Sequence, residues 1–291
     1  MESNVPDSES SSITHVDRAT LTQLVLKLLQ RKGMFAAEAE IVTNRLLEAD
    51  QCGQFAEGVG SLPQYLDAMD LGDIDPRARI ITLSETPAVT FLDGSTGIGH
   101  VAVTRAMLLA IDKARAVGTG TVVIKNSRLC GDVGGIARLA AEAGLIGLVT
   151  NSFAERAVND VGNHALAWGL PAAAGSTPQI VRDRSLNLGE PSSLVFGLLT
   201  AGLAGGEAMS RKRKAARVAN TVEHFVQAID PDKFASRDTL LSKWGPTLSA
   251  KQPTTTAALP GDAAVETVPL QSGDARALAE LAAKIKFEIT W

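Results

Sequence analysis

The chain has 291 residues, 45% hydrophobic and 21% charged, which suits one large or two ordinary globular units and excludes a chain disordered over most of its length. A formal net charge of −4 excludes strong attraction of the whole chain to nucleic acid or an anionic membrane. The 2 cysteines, Cys52 and Cys130, cannot build a disulfide framework and read as reduced thiols of a cytoplasmic protein.

Residues 1–16 are acidic and Ser-rich, lack the basic and apolar regions of a signal peptide, and read as a disordered tail. Leu21, Leu24, Val25, Leu28 and Leu29 recur at helical spacing and predict a helix over 17–30, with Gly33 as a stop. Phe35, Ala39, Val42, Leu46 and Ala49 predict a second helix with one apolar face. A short helix opens at Leu62-Pro63, so 17–76 reads as a helical region. Strands are expected at 78–83 and 88–92, then a turn at 93–99, a helix over 101–117 and a strand over 121–125. A helix over 134–143 and a strand over 145–150 follow. Short strands are read at 166–170, 179–181 and 222–229, helices at 194–209 and 238–244, a basic run at Arg211–Lys214 and an aperiodic loop at 251–261. The helix at 194–209 is too short to span a bilayer. Asp274 is positioned to cap a last helix ending near Lys286. The strand–helix alternation makes 77–235 a central α/β domain, with 236–291 packing back on the helical region. With only 4% aromatic residues, the layers are expected to pack closely through Ala and Gly.

The glycine turn reads Asp93-Gly94-Ser95-Thr96-Gly97-Ile98-Gly99, which is not the order of a dinucleotide fingerprint, so no Rossmann fold is read from it. This turn, the helix carrying Ala110-Ile111-x-Lys113-Ala114, and the strand into Asn126-Ser127 resemble the malate/L-lactate dehydrogenase family. So do Glu48-Ala49-Asp50, Gly58-Val59, Leu62-Pro63-x-Tyr65, Ala140 to Gly147, and His224-Phe225 through Ala228-Ile229-Asp230-Pro231. That family includes ureidoglycolate and sulfolactate dehydrogenases and piperideine-2-carboxylate reductases. The resemblance implies a non-Rossmann α/β fold with a largely antiparallel central sheet, NAD or NADP as cofactor, and a homodimer with a helical region formed by both chain ends. The Phe35/Val42/Leu46 face is the one expected to serve the dimer.

Against the family pattern, the residues that carry its chemistry are replaced. The Ser-His-Gly segment with its acid/base histidine is Ala56-Glu57-Gly58 here, so Glu57 stands at the histidine. Ser61 stands at the arginine that holds the substrate carboxylate, and Cys52 at a second arginine. In Asn126-Ser127-Arg128-Leu129-Cys130-Gly131, Leu129 replaces a cofactor-side histidine. Gly162-Asn163-His164-Ala165 stands at a Gly-Thr-Asn-Pro motif. Asp183 matches a family aspartate, but the segment after it is shortened.

Three catalytic candidates follow: Glu57, Asp183 and His164. A carboxyl in a partly apolar pocket can donate a proton near neutrality, and a second carboxyl facing it would divide the acid and base roles. His164 could supply the lost imidazole. The plainer readings are an exposed Glu57 ending a turn, a surface ion pair of Asp183 with Arg182 or Arg184, and a loop histidine. Ser61 and Arg128 are the substrate-binding candidates, and Ser127, Gly131 and Asn163 the cofactor-binding ones. His100 reads as structural at a helix start, His224 as a buried core histidine, and the basic run as a solvated loop. No His, Cys, Asp or Glu group has metal-ligand spacing. Three functions fit: NAD(P)H-dependent reduction of a 2-oxo or 2-imino acid, a cofactor-independent biosynthetic enzyme using Glu57 and Asp183, or a non-catalytic paralogue.

Overall fold

The computed structural model describes residues 12–153, 164–172, 177–186, 222–233 and 266–287. The readings of 1–11, 194–209, 211–214, 238–244 and 251–261, and of Asn163, lie outside these residues.

The helical region grows from both ends of the chain. Strand β1 (Ile13–Asp17) leads into α1 (Arg18–Arg31), which Asp17 caps by accepting from the Thr20 N–H at 2.7 Å. Helix α2 (Ala36–Gln51) and α3 (Leu62–Asp70) follow. The last described strand, β9 (Thr267–Gln271), pairs antiparallel with β1 and runs into α6 (Ser272–Lys284). Leu21, Leu24, Val25, Leu28 and Leu29 of α1 pack with Val42 and Leu46 of α2 and with Val268, Leu270 and Leu278 in one apolar core.

Four expectations change here. Residues 13–16, read as tail, form β1, because Val16 and Val268 pair and are both fully buried. Phe35 does not belong to the buried face of α2: it precedes the helix in extended backbone and is 51% exposed. Val42 and Leu46 are buried within the protomer, so that face is not available to a dimer. Asp274 lies inside the first turn of α6, and Gln271 takes the cap position.

The central sheet comprises β2 (Ile81–Glu85), β3 (Val89–Asp93), β4 (Thr119–Ser127), β5 (Ile146–Phe153), β6 (His164–Leu170), β7 (Gln179–Leu186) and β8 (Val222–Ile229). Its order is β2-β3-β4-β8-β5-β6-β7. Only β3 and β4 run parallel, joined across one face by α4 (Gly99–Val117); every other described neighbour pair is antiparallel. The sheet is therefore largely antiparallel and not Rossmann-like.

Helix α5 (Val133–Glu142) joins α4 over the same face. Asp132 starts it by accepting from the N–H groups of Gly134 and Gly135, both at 3.0 Å. The small-residue packing is real. Gly147 and Gly169 are cross-strand partners, and a Cβ on either would lie 2.6 or 2.2 Å from the Ala137 carbonyl oxygen. The helix backbone thus rests directly on the sheet.

Register decides where the candidate residues can meet. Ser127 pairs with Val222, Phe153 also pairs with Val222, and His164 pairs with Leu186. The end of β4, the start of β8, the end of β5, the start of β6 and the end of β7 therefore share one end of the sheet. The N-terminus of α4 opens at that same end, since Gly99 N–H donates to the Leu129 carbonyl at 3.1 Å.

Candidate active site

After α2 the chain makes two single 3-10 turns, Phe55–Glu57 and Val59–Ser61, before α3. Asp50, the penultimate residue of α2, is fully buried beneath them. Its Oδ2 accepts from the Val59 N–H at 2.8 Å, while its Oδ1 has no hydrogen-bond partner. Burial pushes the Asp50 carboxyl up to about 8; the Val59 amide opposes that rise and Asp274 adds to it. A Cβ at Gly58 would stand 1.8 Å from Asp50 Oδ1, so only glycine passes over this carboxyl. Glu57 is the half-exposed residue at the end of the first turn.

Tyr65, on the inner face of α3, is buried, and burial raises its hydroxyl well above the ordinary tyrosine range. The nearby Cys130 and the Glu57 carboxylate raise it further, and a hydrogen bond with Ser61 opposes them. Ser61 also donates to the Gly58 carbonyl at 2.6 Å. The Tyr65 ring meets His100 edge-on, with centroids 5.0 Å apart. His100 is 1% exposed, neither ring nitrogen has a hydrogen-bond partner, and burial drives its pKa down to about 3. Arg45 and His224 push it the same way. Cys130 is buried, bonded to Asn151, and pushed up to about 12 by burial, so it is a protonated thiol. His224 binds the Arg128 carbonyl through Nε2 at 3.0 Å, and burial lowers it to about 4.

Behind this group, Glu48 of α2 is flanked by Arg45 at 2.8 Å and Arg138 of α5 at 3.3 Å. Arg138 also donates to Cys52 Sγ at 3.4 Å. Burial raises the Glu48 carboxyl while the two guanidiniums oppose it. Arg138 thus ties α5 to α2 through this carboxylate, and Arg45, on α2 itself, donates to the Gly135 carbonyl of α5 at 3.0 Å.

The structure brings Glu57, Ser61 and the 127–131 loop to one place through Tyr65 and His100. Arg128 is buried there, and its Nε donates to the Asp73 carbonyl at 2.5 Å. Desolvation lowers its pKa while Asp73 raises it. Ser127 is fully exposed to no solvent: its Oγ is enclosed without a partner, and a Cβ on Gly94 would lie 2.9 Å from its Cβ. Gly131 has φ +68°, and a Cβ there would come within 2.6 Å of His100 Nε2, which explains the glycine in packing terms. Leu129 is 45% exposed, an apolar side chain at the rim. His164 and Asp183 stand on β6 and β7, opposite Leu186 and Leu166, at the same end of the sheet. Strand β7 is four strand positions from β4, ~19 Å at normal spacing. Sequence reasoning placed Glu48, Asp50 and Tyr65 among the family-like segments but gave them no role in the site, and it did not pair Glu48 with Arg138. The signal was available in α2, where Glu48-Ala49-Asp50 puts two carboxylates among residues that must be buried.

A family profile described as malate/L-lactate dehydrogenase matches residues 16–186. The chain belongs to the malate/L-lactate dehydrogenase family. Within that family it is 30% identical over 197 residues to L-sulfolactate dehydrogenase of Methanocaldococcus jannaschii, covering 67% of this chain and 54% of that protein. It is 38% identical over 138 residues to malate dehydrogenase of Pyrococcus abyssi, covering 47% of this chain and 38% of that protein. The matched stretches thus span about half or less of these curated relatives. The fold is also similar: malate dehydrogenase of Pyrococcus horikoshii superposes with a TM-score of 0.75 at 21% identity, covering 100% of both chains. Sulfolactate dehydrogenase of M. jannaschii gives 0.72 at 20% identity, covering 94% of this chain and 98% of that one.

Proposed function

We propose that the chain is a diverged oxidoreductase that reduces a 2-oxo or 2-imino acid with NAD(P)H, with Glu57 in the proton-donating role. The observation that supports this reading is a juxtaposition. Glu57 and Ser61 sit on the two short turns beside the buried Tyr65, Ser61 is hydrogen-bonded to the Tyr65 hydroxyl, and the Tyr65 ring meets His100 at the start of α4, so a carboxyl, a phenol and a hydroxyl converge beside the glycine turn. Such a group can hold a carbonyl oxygen by hydrogen bonds and protonate it as it becomes an alkoxide. The family cofactor, when bound, supplies the hydride. Asp183 is proposed as the second carboxyl, His164 as an alternative proton carrier, and Ser61 and Arg128 as contacts for the substrate carboxylate. A homodimer in the cytoplasm completes this reading. Among the described residues no helix is long and apolar enough to cross a membrane, and no group of three His, Cys, Asp or Glu could hold a metal ion.

The cofactor residues do not fit as simply. Ser127 has its hydroxyl enclosed without a partner, so its side chain does not face a dinucleotide, and Gly131 could meet one only through its backbone. That observation favours the second reading, a cofactor-independent enzyme that uses Glu57 and Asp183 for proton transfer. One experiment separates the two: NADPH and NADH oxidation is followed with a panel of 2-oxo and 2-imino acids. Glu57→Gln keeps the shape of the side chain and should lower turnover by roughly 10²–10⁴, with Asp183→Asn failing to add to it. Undiminished turnover in Glu57→Gln removes Glu57 from the mechanism.

A further inference from the structure

Two carboxyls from distant parts of the chain lie against the segment that carries Glu57, and one of them, Asp50, bonds to its backbone. Asp50 comes from the end of α2 and takes the Val59 N–H on Oδ2 at 2.8 Å. Asp274 comes from the first turn of α6, and a Cβ on Gly60 would lie 2.3 Å from its Cγ. Gly58 passes over Asp50 with a virtual Cβ 1.8 Å from Oδ1, and Gly60 passes over Asp274 in the same way. The backbone at 58–60 therefore rests directly on the two carboxyls.

We propose that Asp50 is the positioning residue of the site: backed by Asp274, it holds the Gly58–Gly60 backbone and so sets where Glu57 stands relative to Tyr65. The proposal rests on the reading of Glu57 as the proton donor. Asp50 does not touch the reacting atoms; it acts through the segment above it.

The geometry makes this hold depend on a proton. The groups that act on Asp50 are the Val59 amide from the short turns and the Asp274 carboxyl from α6. On α2 itself, Glu48 is engaged by Arg45 and Arg138, so among the described residues no cation acts on Asp50. The carboxyl is protonated at neutral pH in the closed segment, with a value near 8, and ionised when the segment opens to water. Opening then releases one proton. A carboxyl whose folded value is raised contributes most at low pH, and its contribution falls as pH rises toward the folded value.

Hydrogen exchange in the full-length protein tests this without a substrate. The reporters are the amides of Glu57, Gly58, Val59 and Ser61, all hydrogen-bonded in the structure. Their protection, corrected for intrinsic rates, should fall about tenfold per pH unit between pH 5 and 8 and level off above. Asp50→Asn, which mimics the protonated carboxyl in shape, should abolish that slope. Asp274→Asn should make the levelling begin at lower pH, because Asp274 raises Asp50. Asp50→Ala should lose protection at every pH while the amides of β4 and β8 stay protected. A flat wild-type profile, a slope that survives in Asp50→Asn, or intact protection in Asp50→Ala overturns the proposal. Failure of Glu57 as an acid would show in the turnover of Glu57→Gln and leave these exchange profiles unchanged, so the two ideas fail separately.

Discussion

His100 offers a direct reading of what burial costs in this fold. It lies 1% exposed between Tyr65 and Gly131, with neither ring nitrogen hydrogen-bonded, and its pKa is lowered to about 3 by burial first and by Arg45 and His224 next. In the unfolded chain it titrates near 6.5. A base with a depressed folded value contributes fully above its unfolded value and loses that contribution as pH falls toward the folded one. Between pH 7 and 5 the unfolded chain takes up a proton at His100 and the folded one does not, which amounts to about 2 kcal/mol. That is a large share of a typical net stability of ~5–15 kcal/mol. Asp50 runs in the opposite sense over the same range, so the comparison must be made between variants at each pH. His100→Leu has a similar volume, keeps an apolar contact with Tyr65 and removes the titration. Urea unfolding followed by circular dichroism at pH 7 and pH 5 gives the stability of both proteins. The variant should gain about 2 kcal/mol on wild type when the pH is lowered. A variant-minus-wild-type difference that is the same at both pH values refutes the reasoning.

With Ser127 enclosed and an apolar, exposed Leu129 at the rim, NADPH and NADH should bind in the high micromolar range or more weakly, roughly 2–3 kcal/mol short of an intact site; low-micromolar binding by calorimetry would restore an ordinary dehydrogenase. Asp132→Ala strips two N–H acceptors from the start of α5 and should cost ~0.5–2 kcal/mol in urea unfolding at pH 7. Light scattering should report a particle of about twice the 30.4 kDa chain mass, and a monomer at micromolar concentration would argue against the proposed dimer.

Local pattern carried much of this protein. The helical spacing of Leu21, Leu24, Val25, Leu28 and Leu29 marks the buried face of α1, because a helix returns to the same side every 3.6 residues. The positions of β3, α4, β4, α5, β5 and β8 are legible for the same kind of reason, and the glycine turn with its flanking helix and strand carries the family. Glycine pairs such as Gly147 and Gly169 are visible as glycines, but their purpose is not. It comes from Ala137 above them, more than 20 residues from Gly169, which only the packed layers bring into contact.

The rest depended on pairings that no local pattern contains. Strand β1 has no partner within hundreds of residues of sequence; it is a strand because β9, from the other chain end, lies beside it. Phe35 has the right spacing for the core and faces outward because α2 begins one residue later. At the site, the sequence by itself supplied an expectation only, that Glu57, Gly58 and Asp183 stand at family positions. Tertiary structure alone decided that Asp50 is buried beneath Gly58, that Tyr65 and His100 meet, and that Ser127 is closed off. Burial and electrostatics depend on what surrounds a group in three dimensions, and here those surroundings come from α2, α3, α4, β8 and α6 together.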